Sequence, residues 1–138
     1  MSDFKLHPRL RADTTLIASL GLSEWLLMNE RRYLWTILVP RVEDCLDMHH
    51  LPHPDQATLW QEIQRVSMVV ESVAAPFKLN VAALGNQVPQ LHVHVIARNH
   101  NDPAWPDPVW GHSPPEAYAA TAREEAIVNL LTTLASKP

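Results

Sequence analysis

The chain has 138 residues, 46% hydrophobic and 19% charged, which suits one globular domain with a single core. Its net charge of −4 argues against a nucleic-acid polymer or an anionic membrane as partner, although a local site can still bind an anion. Cys45 is the only cysteine, which excludes an intrachain disulfide and a cysteine-based zinc site. Because no apolar run has membrane-spanning length and no secretory signal is evident, we expect a cytoplasmic protein.

The first half of the chain predicts a helix followed by a hairpin. In chain order the expected elements are a short helix over 12–19, strands over 22–29 and 34–40, and a turn or short helix over 45–49. Gly21 would end the first helix, and the four residues 30–33 would connect the two strands tightly.

The second half predicts a long helix, a second hairpin and a final helix. Apolar residues at helical spacing indicate a helix over 55–74, which Pro76 stops. The other expected elements are strands over 77–84 and 88–97 around the turn-prone pair Gly85-Asn86, an irregular segment over 99–115, and a helix starting at Ser113. Ser113 would cap that helix, with Glu116 at its third position. This order predicts an α+β fold in a single domain over 1–138, with helices packed on one face of an antiparallel sheet.

The segment Gln90–Arg98 carries the strongest chemical signal. In a strand, side chains alternate between the two faces. Gln90, His92 and His94 would therefore share one face, while the apolar residues between them would face the core. Burying a row of polar side chains on an apolar strand costs free energy unless they form hydrogen bonds or take part in a reaction. We therefore expect the functional site at these residues.

This segment resembles the signature of the histidine-triad (HIT) superfamily, His-φ-His-φ-His-φ-φ, where φ is apolar. The Val-Ile-x-Arg that follows His94 aligns His94 with the third histidine and His92 with the middle one. Gln90 then occupies the first position, which is a departure from the full triad.

The resemblance extends beyond the triad over most of residues 5–135. The matching segments are Gly85-Asn86-Gln87-Val88, like a phosphate-contacting loop; Leu27-Met28-Asn29, like a ribose-binding segment; and Trp105-Pro106, like a segment near the site. A Pro-Gly-His that orients the site in some members is absent. The likeness is greatest to small bacterial members of the fragile-histidine-triad or dinucleoside-polyphosphate hydrolase branch, and it implies the HIT-like fold, with an antiparallel sheet of about five strands.

The resemblance also implies an activity, namely cleavage at the α-phosphate of a dinucleoside polyphosphate or a nucleoside phosphoramidate. His92 would form a nucleotidyl-histidine intermediate, His94 would contact phosphate or the leaving group, and Gln90 would complete the catalytic set. The residues expected to bind the nucleotide are Asn29, Asn86, Gln87, Arg98 and Trp105. No cofactor is expected, apart from Mg²⁺ if a polyphosphate substrate brings it.

Two other functions stay open at this point. Gln90 cannot shuttle a proton at neutral pH, so the chain could be a non-catalytic nucleotide-binding module. Less favoured is a metal enzyme with His92 and His94 as ligands and a third ligand such as His100 or Asp102. The histidines at 49 and 53 fit a solvated loop better than a metal site, since Pro52 separates them. The resemblance further implies a homodimer.

Overall fold

The computed structural model describes residues 4–137, so the single domain predicted over 1–138 is described except for residues 1–3 and 138. In chain order the elements are α1 (Pro8–Asp13), β1 (Thr14–Ser19), β2 (Ser23–Met28), β3 (Trp35–Pro40), a 3₁₀ turn (Met48–His50), α2 (His53–Ala74), β4 (Lys78–Ala82), β5 (Val93–Arg98) and α3 (Ala120–Ser136). None of the helices within 4–137 combines the length and apolarity needed to cross a membrane.

The strands form one five-stranded antiparallel sheet in the order β1-β2-β3-β5-β4. The predicted α+β fold with a five-stranded antiparallel sheet is therefore confirmed. Strand β5 lies between β3 and β4, and all six of its residues are buried.

The two faces of the sheet are covered differently. On one face, which we call the helix face, Val93 and Val95 of β5 pack in one cluster with residues of α2 and α3. On the other, which we call the histidine face, Ile96 packs with Leu10 of α1 and with Ala104 and Val109 of the loop after β5. The alternation predicted for the triad segment therefore holds for Leu91, Val93, Val95 and Ala97, which lie on the helix face, while Ile96 lies on the histidine face.

The predicted helix over 12–19 is wrong. Its first two residues end α1, and Thr14–Ser19 instead form the edge strand β1, which pairs with β2. Threonine and isoleucine are β-branched and suit a strand, and pairing with the free edge of β2 outweighs the weak local helix signal.

The final helix begins at Ala120, not at Ser113 as predicted. Arg32, in the β2–β3 connection, donates to Ser113 Oγ and to the Pro114 carbonyl, while Glu116 pairs with Arg31 and Arg32. These contacts hold residues 113–116 outside a helix. Ser113 and Glu116, which were predicted to cap the helix, instead bind the connection between β2 and β3.

Helix α2 ends where Pro76 predicts, through a left-handed residue. Ala75 has φ 44° and ψ 53°, and its N–H donates to the Glu71 carbonyl at 2.9 Å. A side chain in this conformation is strained by roughly 1–2 kcal/mol, whereas glycine adopts it freely.

We expect Ala75→Gly to raise the free energy of unfolding by about 1 kcal/mol, measured by urea denaturation. The matched control is Ala57→Gly, on an exposed position inside α2. That change should lower the free energy of unfolding by about 1 kcal/mol, because glycine is a poor helix former. A loss of stability in both variants would contradict the strain argument.

Candidate active site

The structure brings His92 and His94 together at the start of β5. Their ring centroids are 4.9 Å apart, and the residues are 6% and 4% exposed. His92 directly precedes the strand and His94 lies within it. The prediction that these two side chains share one site agrees with this geometry.

The hydrogen bond of His92 fixes its tautomer. His92 Nδ1 lies 2.6 Å from the backbone carbonyl oxygen of Gln90, and a carbonyl only accepts hydrogen bonds. The proton of the neutral ring must therefore reside on Nδ1. Nε2 is left with a free lone pair, which is the form of imidazole that acts as a nucleophile.

His94 is held in the opposite tautomer. Trp35 Nε1 donates to His94 Nδ1 at 3.0 Å, and an indole N–H only donates, so the ring proton of His94 sits on Nε2. Burial, and then the charge of His92, lower the pKa of His94 from 6.5 to about 3. His94 is therefore a neutral hydrogen-bond donor at physiological pH.

Two tryptophans enclose His94. Besides Trp35, the ring of Trp110 lies 5.0 Å from it in an edge-to-face arrangement. In the sequence, Trp35 lies in a predicted strand with nothing to link it to the site, and no Pro-Gly-His is present to orient the histidines. Only the register, which pairs Ile37 of β3 with His94, shows that Trp35 meets the site.

Gln90 uses its side chain and its backbone for different contacts. The carboxamide Nε2 donates to the Lys5 carbonyl at 2.9 Å, and Oε1 accepts from the His7 N–H at 2.8 Å. Only the backbone carbonyl meets His92. The expected row of three side chains on one strand is wrong for Gln90, because β5 begins at Val93 and the preceding residues are irregular.

A cleft of about 240 Å³ lies beside His92. Its lining residues are Leu46, Asp47, Met48, His49, Ala83, Leu84, Gly85, Leu91 and His92. Asn86 and Gln87 follow Gly85 directly and are exposed, so their amides are free to meet a ligand at this edge. His49, predicted in a solvated loop, is exposed and also lines the cleft. A mainly apolar cleft next to a nucleophile suits an aromatic base.

Asn29 lies just after β2 and contacts the segment before α3. Asn29 follows Met28, and its Oδ1 accepts a hydrogen bond from the Tyr118 N–H at 2.9 Å. The structure therefore ties the predicted ribose ligand to the segment before α3.

Arg98 and Trp105 lie at the other end of β5, which at about 3.3 Å per residue is roughly 20 Å from His92. Arg98 is 1% exposed and donates to Asp102, to Asn80 and to the Asp107 carbonyl. Burial alone would raise the pKa of Asp102, but hydrogen bonds, first from Arg98, hold it below its usual value. The guanidinium also lies 5.6 Å from the Trp105 ring. The structure thus places these two predicted nucleotide ligands in a buried network.

The described part of the chain contains no set of ligands that would support the metal-enzyme hypothesis. Within residues 4–137, no three His, Cys, Asp or Glu side chains form a metal-binding group. The two candidates for a third ligand are engaged elsewhere, since His100 packs against Phe77 and Asp102 binds Arg98.

The protonation state of His94 is measurable by ¹⁵N–¹H NMR of the imidazole groups. We expect His94 to stay neutral, with its single ring proton on Nε2, from pH 8 to pH 5. In the unfolded chain His94 takes up a second ring proton below about pH 6.5, whereas in the folded chain it does so only near pH 3. The contribution of His94 to the free energy of unfolding is therefore lost as pH falls from 6.5 towards 3. Titration of His94 above pH 5 would contradict the assignment.

Comparison with known proteins identifies the family of this chain. The model of the HIT domain family matches residues 9–101. A histidine triad protein from Bradyrhizobium japonicum is 45% identical, with 95% of this chain and 98% of that chain covered and a TM-score of 0.93.

Two further solved structures are similar to this chain. A histidine triad protein from Sinorhizobium meliloti 1021 is 40% identical, covers 96% of this chain and 98% of its own, and has a TM-score of 0.94. One from Marinobacter aquaeolei VT8 is 41% identical, with 98% of both chains covered and a TM-score of 0.94. No functionally curated protein matches the chain. From the family match and these identities, we conclude that the chain belongs to the HIT domain family.

Proposed function

We propose that this protein is a nucleotide hydrolase or transferase that cleaves at an α-phosphate through a nucleotidyl-histidine intermediate. The observation that carries the proposal is the complementary protonation of two adjacent rings. His92 offers an unprotonated Nε2, and His94 offers an Nε2–H donor. One ring can therefore attack phosphorus while the other donates a hydrogen bond to a phosphoryl oxygen.

In the first step His92 Nε2 attacks the α-phosphorus, so that a P–N bond forms and the bond to the leaving group breaks. The electron pair of that bond goes to the leaving group. The Gln90 carbonyl accepts from Nδ1–H and stabilises the positive charge that develops on the ring. In the second step water attacks phosphorus and releases a proton to solvent, the electron pair of the P–N bond returns to His92 Nε2, and a nucleoside monophosphate leaves.

The surroundings of His92 support a nucleotide as the substrate. The apolar residues of the adjacent cleft provide a place for the base, and the exposed amides of Asn86 and Gln87 can donate to phosphate oxygens. No cofactor is part of this proposal, and Mg²⁺ would enter only with a polyphosphate substrate.

A non-catalytic nucleotide-binding module is the alternative. It is favoured by Gln90, whose carboxamide is fully engaged with the backbone of Lys5 and His7 and cannot move a proton. If turnover requires an acid at this position, the protein would bind nucleotide without releasing product.

We expect wild-type protein to release nucleoside monophosphate from at least one of adenosine phosphoramidate and the diadenosine polyphosphates, measured by chromatography. His92→Ala should reduce kcat/KM at least ~10²-fold, because the nucleophile is lost. The matched control is His100→Ala, which removes an exposed histidine at the other end of β5 and should leave kcat/KM unchanged. Nucleotide binding without product from any substrate would establish the alternative instead.

We also propose that the chain forms a homodimer through strand β4. This strand is one edge of the sheet, and open edges pair readily with another strand. Three large apolar side chains are exposed along it and its flanks, namely Phe77, Val81 and Leu84. A second copy pairing edge to edge would cover them and continue the sheet.

We expect sedimentation to give twice the 15.6 kDa mass of one chain. Val81→Lys should shift the protein towards the monomer, since a charge at a paired edge is costly to bury. Leu16→Lys is the control, because Leu16 is equally exposed on β1, the opposite edge. A monomeric wild type, or equal effects of the two substitutions, would refute this interface.

A further inference from the structure

Trp35 and His94 are joined across the sheet by a buried hydrogen bond. Trp35 Nε1 donates to His94 Nδ1 at 3.0 Å, and the two residues are 8% and 4% exposed. In the pairing of β3 with β5, Trp35 lies opposite Ile96, and Ile37 lies opposite His94. Trp35 and His94 are therefore diagonal neighbours on one face, at a separation that an aromatic side chain can span. The hydrogen bond thus follows from the register of the two strands.

The position of the Trp35 ring is fixed by buried groups. Thr36 Oγ1 donates to the Val95 carbonyl at 3.1 Å, which adds a side-chain bond to the pairing of β3 with β5. A slip of one residue in this pairing would move Trp35 to the other face of the sheet. The rings of Tyr33 and Trp110 pack nearly perpendicular to the indole, with centroids 6.3 and 6.0 Å away. The indole N–H is therefore held in the direction of His94.

Trp35 and Trp110 both contact His94, but they do so differently. The ring of Trp110 lies 5.0 Å from His94, yet among residues 4–137 its buried Nε1 has no hydrogen-bond partner. Trp25, in the cluster on the helix face, also has a buried Nε1 without a partner in this range. These two tryptophans have the ring of Trp35 but not its hydrogen bond, so they allow the effect of the bond to be separated from that of the ring.

The hydrogen bond closes the Nδ1 side of His94 to protons. To relay a proton, the ring would release one from Nε2 and accept another at Nδ1. Nδ1 faces an indole N–H, which only donates, so a proton added there would point at a second proton. The ring therefore keeps its proton on Nε2, where it can donate a hydrogen bond without transferring the proton.

We propose that Trp35 is a positioning residue, which holds His94 as a fixed Nε2–H donor for a phosphoryl oxygen of the substrate. This inference rests on the proposed function for its role in turnover. Negative charge on that oxygen grows as His92 attacks phosphorus, so a donor already in place stabilises the transition state more than the bound substrate. Trp35 acts through His94, and the N–H bond of His94 stays intact during the step.

The hydrogen bond is tested first by ¹⁵N–¹H NMR of the imidazole and indole groups. In the wild type we expect a scalar coupling between Trp35 Nε1 and His94 Nδ1, and a single His94 tautomer. Trp35→Phe should remove the coupling and admit a share of the Nδ1–H tautomer, because no donor then faces Nδ1.

The matched control is Trp25→Phe, the same substitution on the opposite face of the sheet, where the lost N–H has no partner among residues 4–137. It should leave the coupling and the tautomer unchanged. No coupling in the folded wild type, or a His94 tautomer that Trp35→Phe leaves unchanged, would overturn the inference.

A double-mutant cycle then tests whether Trp35 acts through His94. Trp35→Phe should lower kcat at least about tenfold and change KM by less than about twofold, whereas Trp25→Phe should change neither. In a His94→Ala background, Trp35→Phe should have no further effect on kcat. Equal losses of kcat with and without His94 would show that Trp35 only packs the core, and would overturn the inference.

AMP separates this inference from the proposed function, because a hydrolase and a binding module would both bind a nucleoside monophosphate. We expect AMP to shift the His94 Nε2–H resonance of the wild type, and an unshifted resonance would overturn the inference. A shift with AMP and a tautomer that depends on Trp35, in a protein that turns over no substrate, would support the inference and refute the proposed function.

Discussion

Burial of β5 on both faces is the constraint on which the site depends. Every residue of Val93–Arg98 is buried, yet the strand carries two polar side chains on its histidine face. Each of them needs a partner, because an unpaired polar group in the interior costs several kcal/mol. Trp35 satisfies His94, and Asp102, Asn80 and Asp107 satisfy Arg98.

The hydrogen-bond partners of His94 and of Arg98 have different consequences. A partner that only donates places the ring proton of His94 on Nε2, and burial, by lowering the pKa of His94 to about 3, keeps the ring neutral. A charged partner leaves Arg98 permanently paired and fixes the loop after β5 over the sheet. One end of β5 therefore holds the two neighbouring histidine rings, and the other end holds the loop after the strand in place.

Gln90 links His92 to the start of the chain. Its carbonyl sets the tautomer of His92, while its side chain holds residues 5–7. One residue therefore orients the ring through its backbone and ties residues 5–7 to the segment before β5 through its carboxamide.

Much of the architecture follows from local patterns in the sequence. Helix α2, strands β2 and β3 and the alternation of Val93, Val95 and Ala97 in β5 were predictable from the sequence. The spacing of apolar residues reflects which side chains are buried, and glycine and proline mark the ends of elements. The misplaced elements were β1 and the starts of β5 and α3. At β1 and α3, sheet pairing and the contacts of Arg32 override weak local signals. The pairing of His92 with His94 was likewise predictable from their spacing in a strand.

The sequence by itself determined the family motif, the candidate nucleophile and the fold class. Only the tertiary structure decided which groups meet these residues, because partners far apart in the chain are brought together by strand register and loop packing. Trp35 reaches His94 through the register of β3 and β5, Asn29 accepts from the Tyr118 N–H across 89 residues, and Gln90 meets Lys5 across 85 residues. Tautomers and charge states follow from such long-range partners, so they were decided by the fold.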